Sequence, residues 1–227
     1  MKNCNFINNT AKGQGGAICW QGYNGTLTDS IFIKNNAVNT WGGGVCWWGY
    51  NGTVSNSIFT ENYAGWGGGI LWDADQGIII GSNFTHNIAY IYDGGAVYWR
   101  GSNGTLTESI FNSNSARMGG AVCWSGANSI LTNSIFSNNT ASKRGGSINW
   151  FINGSMTNCN FVNGNSVNSN GIYASYNLNI ASGKGIVYIF ANTTLSGTSI
   201  IVLNNETYYY PPSTNINLPN KNQDNGY

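Results

Sequence analysis

The sequence predicts an all-β fold, a right-handed parallel β-helix of about seven rungs closed by a C-terminal β cap. Three observations predict it. A Gly-Gly phrase recurs as Gly15-Gly16-Ala17-Ile18-Cys19-Trp20, Gly42-Gly43-Gly44-Val45-Cys46-Trp47 and Gly67-Gly68-Gly69-Ile70-Leu71-Trp72. It returns as Gly94-Gly95-Ala96-Val97-Tyr98-Trp99, Gly119-Gly120-Ala121-Val122-Cys123-Trp124 and Gly145-Gly146-Ser147-Ile148-Asn149-Trp150, with a weaker copy around Asn170-Gly171-Ile172-Tyr173-Ala174. A second phrase, Phe-x-x-Asn-x-Ala, runs in step with it at Phe6/Asn9/Ala11, Phe32/Asn35/Ala37, Phe59/Asn62/Ala64, Phe84/Asn87/Ala89, Phe111/Asn114/Ala116 and Phe136/Asn139/Ala141, and Phe161/Gly164/Ser166 is its degenerate last copy. Between these phrases lie Ile, Val, Thr, Phe and Trp broken by Asn-Gly and Gly-Gly, which is the chemistry of strands and turns.

Spacing gives each element its place. Successive phenylalanines lie 26, 27, 25, 27, 25 and 25 residues apart. From the first Gly of a phrase to the next Phe the distance is 17 residues five times and 16 once, whereas from Phe to the next Gly-Gly it is 9, 10, 8, 10, 8 and 9. One rim of the repeat tolerates insertion while the rest is locked in register, as in stacked rungs with one variable loop. Three strands of about five residues and three turns fill a repeat, each rung pairing in parallel with its neighbours at about 4.8 Å. The alternatives are a sandwich or a propeller, but a propeller blade takes about 40 to 45 residues.

Stacking sets equivalent residues over one another, so each column reads as inside or outside. The Phe column and the Leu27/Val54/Ile79/Leu106/Leu131/Met156 column are apolar throughout and are placed inside, with Ile18/Val45/Ile70/Val97/Val122/Ile148. Each Trp follows that Ile or Val by two residues, hence on the same face of a straight strand. An inward Trp stack is expected, with an outward ribbon as the alternative if the strand ends first. The Asn two residues before each Ala is expected to form an amide ladder at a turn.

Three segments follow: repeats over 1–175, capping strands over 176–210 and a polar linker or tail over 211–227. Leu178 and Ile180 are placed to close the last rung. A solenoid end exposes core and unpaired backbone, so a cap is needed, with a small separate β module as the alternative for 176–210. Only 7% of residues are charged, against about 25% in an ordinary soluble domain. The net charge of +1 comes with no basic stripe, so nucleic acid is not expected as a partner. Apolar runs reach about six residues, short of the ~20 of a membrane helix, so no membrane insertion is expected. The start, Met1-Lys2-Asn3-Cys4, has no apolar signal-peptide core.

Little here points to chemistry. Asp73 and Asp75 share a rung and are the acids placed to flank a sugar or bind calcium. Aligning the rungs, however, puts Arg100 over Asp73 and sets Lys34, Glu61 and His86 in one column, which reads as ion pairing on a solvated face. Glycosidases need two carboxyls at a defined separation and a calcium site wants several clustered acids; neither is visible, and no catalytic residue, metal site or cofactor is expected. Cys19 and Cys46 share a column in adjacent rungs, within disulfide reach. Cys4 and Cys159 share another column six rungs apart, roughly 29 Å at the strand spacing, and cannot bridge. Asn-x-Ser/Thr occurs at Asn8, Asn24, Asn51, Asn83, Asn103, Asn138, Asn153, Asn192 and Asn205. At Asn24, Asn51 and Asn103 it takes the form Asn-Gly-Thr, either a glycosylation acceptor or simple turn-then-strand chemistry. The variable loop supplies the binding candidates Trp41, Trp66, Tyr90 and Tyr92 from three consecutive rungs, with Trp48 beyond the Trp47 column. Exposed aromatics on a rigid scaffold stack on sugar faces; the alternative is that they cover the rim of the core.

Gly-Gly-Ala-Ile and Phe-x-x-Asn-x-Ala together resemble polymorphic outer-membrane-protein-type repeats. The form with Cys-Trp after Gly-Gly-Ala-Ile, and with Asn-Gly-Thr-Leu-Thr ahead of Ser-Ile-Phe, is similar to adhesin-like surface proteins of methanogenic archaea. The resemblance covers Asn3 to about Ser175. It implies a right-handed, pectin lyase-like β-helix at an extracellular cell surface, adhering to surface glycans or surface proteins of other cells, and it carries no catalytic residues to transfer. Because the chain starts mid-rung without an export signal, it is expected to be part of a longer surface chain. The competing function is a polysaccharide lyase or hydrolase, which needs Asp73, Asp75 and Arg100 to converge in a groove.

Overall fold

Each repeat makes one turn of a parallel β-solenoid of about seven turns, and the described residues contain no helix. The computed structural model describes residues 1–167 and, beyond them, the strand segments 172–174, 178–184, 186–189, 194–195, 199–203, 206–210 and 216–217. Four short strands carry each turn, rather than the three of about five residues that the repeat length suggests. In the third turn they are Ile58–Thr60, Tyr63–Trp66, Ile70–Trp72 and Ile78–Ile80, called here the Phe, Ala, Trp and Leu strands after their inward residues. A residue in the left-handed region, such as Asn56 (φ 49°) or Glu108 (φ 52°), separates each Leu strand from the Phe strand after it. In the sixth turn the two merge as Gly154–Val162, so they are one wall creased at that residue.

Register is strict where the sequence period is strict. Phe6, Phe32, Phe59, Phe84, Phe111, Phe136 and Phe161 are successive strand partners. Their rings stack at centroid spacings of 4.6 to 4.9 Å. The Trp column points inward as well. Trp47, Trp72, Trp99, Trp124 and Trp150 are fully buried, and with Trp20 they form a second ladder at 4.6 to 5.0 Å. Burying this much aromatic surface, at 150 to 250 Å² per ring, is the main source of stability. It outweighs a cost, because the indole N–H groups of Trp72, Trp99, Trp124 and Trp150 find no hydrogen-bond partner among the described residues.

Glycine makes the close approach possible. Gly42 sits at φ +68°, and a Cβ on Gly43 would run into the carbonyl oxygen of Gly68 in the next turn. The Gly of Asn51-Gly52 has a further duty: a Cβ there would land on the Trp47 indole.

Two polar columns are buried in the corners. The Asn ladder forms as expected, with Asn35, Asn62, Asn87, Asn114 and Asn139 all buried. The amide of Asn62 donates to Asn87 Oδ1 at 2.9 Å and to the Phe32 carbonyl at 3.0 Å, while its own Oδ1 accepts from the Asn35 backbone N–H and amide. The second column is Ser30, Ser57, Ser82, Ser109 and Ser134, whose hydroxyls accept the N–H of the turn before. Cys4 and Cys159 stand at its two ends: Ser30 Oγ accepts the Cys4 N–H, and the Cys159 thiol donates to the Thr157 carbonyl as each Ser donates two residues back.

Parallel stacking continues past residue 175. Ile172 lies on Ile148 and Ile180 on Met156, and residues 186–189 pair in parallel with 172–174. Strand 206–210 pairs antiparallel with 199–203, and 216–217 antiparallel with 194–195. The remainder of the tail assigned to 211–227 lies outside the described residues.

Candidate binding rim

The variable segments between each Ala and the following Gly-Gly are residues 12–14, 38–41, 65–66, 90–93, 117–118 and 142–144. Their last residues are held in file although their lengths differ. Gly15 N–H donates to the Trp41 carbonyl at 2.8 Å, Gly42 to Trp66 at 2.9 Å, Gly67 to Asp93 at 3.1 Å, Gly94 to Met118 at 3.0 Å and Gly119 to Arg144 at 2.9 Å. Extra residues are taken up earlier in each segment, and a register shift marks the place between Ala64 and Trp66 and between Ala116 and Met118.

Four of the five candidate aromatics meet on this rim. Trp48 tilts against Trp41 at 5.5 Å, Trp41 meets Trp66 edge-on at 6.2 Å, and Trp66 stacks on Tyr92 at 3.7 Å. All four are half-buried. Trp48 Nε1 donates to Gln14 Oε1 at 3.0 Å, which ties the strip to the first turn. The fifth, Tyr90, is exposed and stands apart: its hydroxyl accepts the Asn39 N–H at 2.7 Å and donates to Asn39 Oδ1 at 2.8 Å. Asn39 is two turns away, and the bond is possible because the intervening segment, Gly65-Trp66, is short.

The strip ends in an ion pair. Arg117 Nε and Nη2 donate to Asp93 Oδ1 and Oδ2 at 3.0 and 3.1 Å, and the guanidinium lies 5.7 Å from the Tyr92 ring centre. Asp93 is buried. Its hydrogen bonds hold the Arg117 pKa above the ordinary value. A fork-to-fork pair of this kind fixes geometry as well as charge. The sequence offers no signal for it, since residues 93 and 117 lie in segments of different length.

The other acids are engaged elsewhere. Asp73 Oδ1 lies 3.0 Å from Arg100 Nε as the column alignment suggests; burial raises its pKa, and Arg100 opposes the rise. Asp75 Oδ1 accepts the Ser102 N–H at 2.7 Å. Lys34 and Glu61 pair at 3.6 Å on an exposed face. No group of three or more His, Cys, Asp or Glu that could hold a metal ion occurs among the described residues.

Cys19 and Cys46 are strand partners, and both are free thiols. Cys19 is exposed and Cys46 buried, and burial pushes the Cys46 thiol far up, reinforced by Cys19 and Asp73. The Asn24, Asn51 and Asn103 side chains are exposed, at left-handed corners with φ of 52°, 55° and 56°.

Residues 3–19 and 133–149 match the Chlamydia polymorphic membrane protein repeat. In these two segments the chain is similar to that repeat. Each matched segment runs from a Phe strand through an Ala strand to a Trp strand, taking in Phe6, Asn9, Ala11 and Gly15-Gly16 in one case and Phe136, Asn139, Ala141 and Gly145-Gly146 in the other. The matched residues therefore include members of the Phe ladder, the Asn ladder and the glycine pair, together with two variable segments of the rim, 12–14 and 142–144. No curated protein and no solved structure matches the chain. A repeat of this type on a parallel solenoid fits a surface adhesin-like module.

Proposed function

We propose that the chain is a cell-surface module that attaches to glycans or surface proteins of other cells through its aromatic rim, as part of a longer extracellular chain and without catalysis of its own. One observation carries this reading: Trp41, Trp48, Trp66 and Tyr92, from three consecutive turns, meet in one half-exposed strip where repeat length varies. Rigid aromatic rings offer large contact area at little entropic cost and stack on sugar faces. A locked scaffold with one adaptable edge is how loops on rigid folds come to carry recognition. The repeat takes its name from membrane proteins, which supports a surface location. Asn24, Asn51 and Asn103, exposed at their corners, are the acceptors this reading assigns to glycosylation.

The test is attachment. Beads coated with the intact chain are applied to cells and to a glycan array, and compared with beads carrying Trp41→Ala and Trp66→Ala. Attachment by the intact chain, lost in the variants while their circular dichroism is unchanged, is expected. Attachment that survives both substitutions overturns the rim. Depolymerisation of a polysaccharide panel, abolished by Asp73→Ala or Asp75→Ala, would replace the reading with an enzyme.

A further inference from the structure

Charge is spread unevenly over the described turns. Residues 1–167 hold seven Lys and Arg and six Asp and Glu. Four of the cations, Lys12, Arg117, Lys143 and Arg144, lie in the variable segments, against one acid, Asp93. The rim therefore carries a surplus of three positive charges, while the other three cations and five acids leave the remaining faces two negative. In a chain whose net charge is +1, composition alone hides this.

The charge is also ordered along the rim. Aromatic rings occupy its second to fourth turns, with Lys12 alone before them in the first turn and the cations Arg117, Lys143 and Arg144 after them in the fifth and sixth. The two halves join at Tyr92, which stacks on Trp66 and has the Arg117 guanidinium over its ring. Asp93 takes two of the five N–H donors of Arg117 and fixes its plane. Arg144 is set 4.8 Å over the Tyr173 ring, and Lys143 is exposed. Cations already seated over rings lose little freedom when a ligand arrives.

We propose that the rim binds an acidic polysaccharide, one bearing carboxylates along its chain, laid parallel to the solenoid axis. Sugar rings lie against Trp41, Trp66 and Tyr92, and carboxylates meet Arg117, Lys143 and Arg144. From Trp41 to Arg144 is four turns, about 19 Å at the strand spacing, enough for several sugars. The surplus positive charge steers such a polymer to the rim and sets its direction. This inference rests on the rim being the attachment surface and adds the class of ligand.

Polygalacturonate is the probe, with its fully methyl-esterified form as a neutral polymer of the same backbone. The intact chain is expected to retain polygalacturonate and to bind the ester at least about tenfold more weakly, with retention lost near 1 M NaCl, where the Debye length falls to about 3 Å. Trp66→Ala is expected to cost up to about tenfold, the size of one lost stacking contact. Lys143→Gln, at an exposed site where folding is not at stake, weakens binding severalfold and lowers its salt dependence; Lys34→Gln, on another face, leaves it unchanged. Equal affinity for both polymers overturns the inference, as does unchanged affinity in Lys143→Gln/Arg144→Gln. Unchanged affinity in Trp66→Ala overturns the axial stacking. A chain that attaches to cells through Trp41 and Trp66 but ignores polygalacturonate overturns this inference and leaves the attachment reading standing. Loss of cell attachment altogether overturns the reading itself.

Discussion

Trp47, Trp72 and Trp99 stack inside the solenoid at 4.7 and 5.0 Å with planes within 13° of parallel. Trp41, Trp66 and Tyr92, a few residues earlier in the same turns, meet edge-on at 6.2 Å and stacked at 3.7 Å. The residue types are alike, so the difference comes from confinement: the inner rings are fully buried and the outer ones half-buried. The inner rings each follow the first Gly of their phrase by five residues, on strands paired in register, and inside the core the strand spacing dictates their own. The outer rings hang from segments of two to four residues; Trp41 and Trp66 are still strand partners, yet with no core closed around them they meet edge-on. The first set is closed inside the core, and the second is left half-exposed at the surface.

The largest effect should come from breaking the inner ladder. Trp99→Ala empties a fully buried site between Trp72 and Trp124 and is expected to cost about 3 to 5 kcal/mol by urea unfolding; a cost near zero would mean that the ladder is not the core. Asn87→Ala strands the Asn62 N–H and takes one hydrogen bond each from the Asn62 amide, the Phe59 carbonyl and Asn114 Oδ1. The amide keeps the Phe32 carbonyl, and Asn114 Oδ1 keeps the residue 87 backbone N–H. Buried groups cost about 1 to 3 kcal/mol each when unpaired, so a loss of about 2 to 4 kcal/mol is expected after relaxation, and a loss below 1 would show that water serves the corner instead.

Thiols report on the regular part as pH rises. Burial pushes Cys159 up to about 12 and raises Cys46 and Cys123 as well, whereas an unfolded thiol titrates near 8.5. Their folded-state pKa values are raised, so their contribution is fully present below about pH 8.5 and is lost as pH climbs toward the folded values, by up to about 1.4 kcal/mol per pH unit and thiol. Melting temperature should fall between about pH 9 and 11. Replacing Cys46, Cys123 and Cys159 by Ala should flatten that slope, and an unchanged slope would point to another group. The smallest effect belongs to the rim: Trp66→Ala should cost no more than about 1.5 kcal/mol. A loss as large as that of Trp99→Ala would erase the distinction between the two stacks.

Much of this was legible because a solenoid writes its geometry into its period. An inward column needs an apolar residue at a fixed offset in every repeat, and Phe32, Val45 and Leu27 stand in such columns. The Asn ladder could be read the same way, since a buried amide must bond its own copies. The Ser column was not: serine at a turn usually signals exposure, and only Cys4 and Cys159 at its ends hint that the site is dry. Cys46, Leu71, Cys123 and Asn149 lie between inward residues, so alternation places them outward, yet they are buried. The left-handed corners that crease the Phe–Leu wall hide in ordinary Asn, Asp and Glu. On the rim, Trp41, Trp66 and Tyr92 could be nominated from sequence. The Asp93–Arg117 pair and the reach of Tyr90 to Asn39 could not, because both depend on how much longer one segment is than its neighbour.

Everything rests on one turn per repeat in strict register. Ile7 and Val162 are 155 residues apart in sequence, and successive partners Ile33, Thr60, Thr85, Asn112 and Ser137 connect them through six strand spacings, about 29 Å. Both are exposed, so spin labels can be placed there with Cys4 and Cys19 replaced by Ser. A pulsed dipolar measurement should return a single narrow distance distribution near that value, give or take the label arms. A broad distribution, or one centred well beyond it, would contradict the stacked turns and every column built on them.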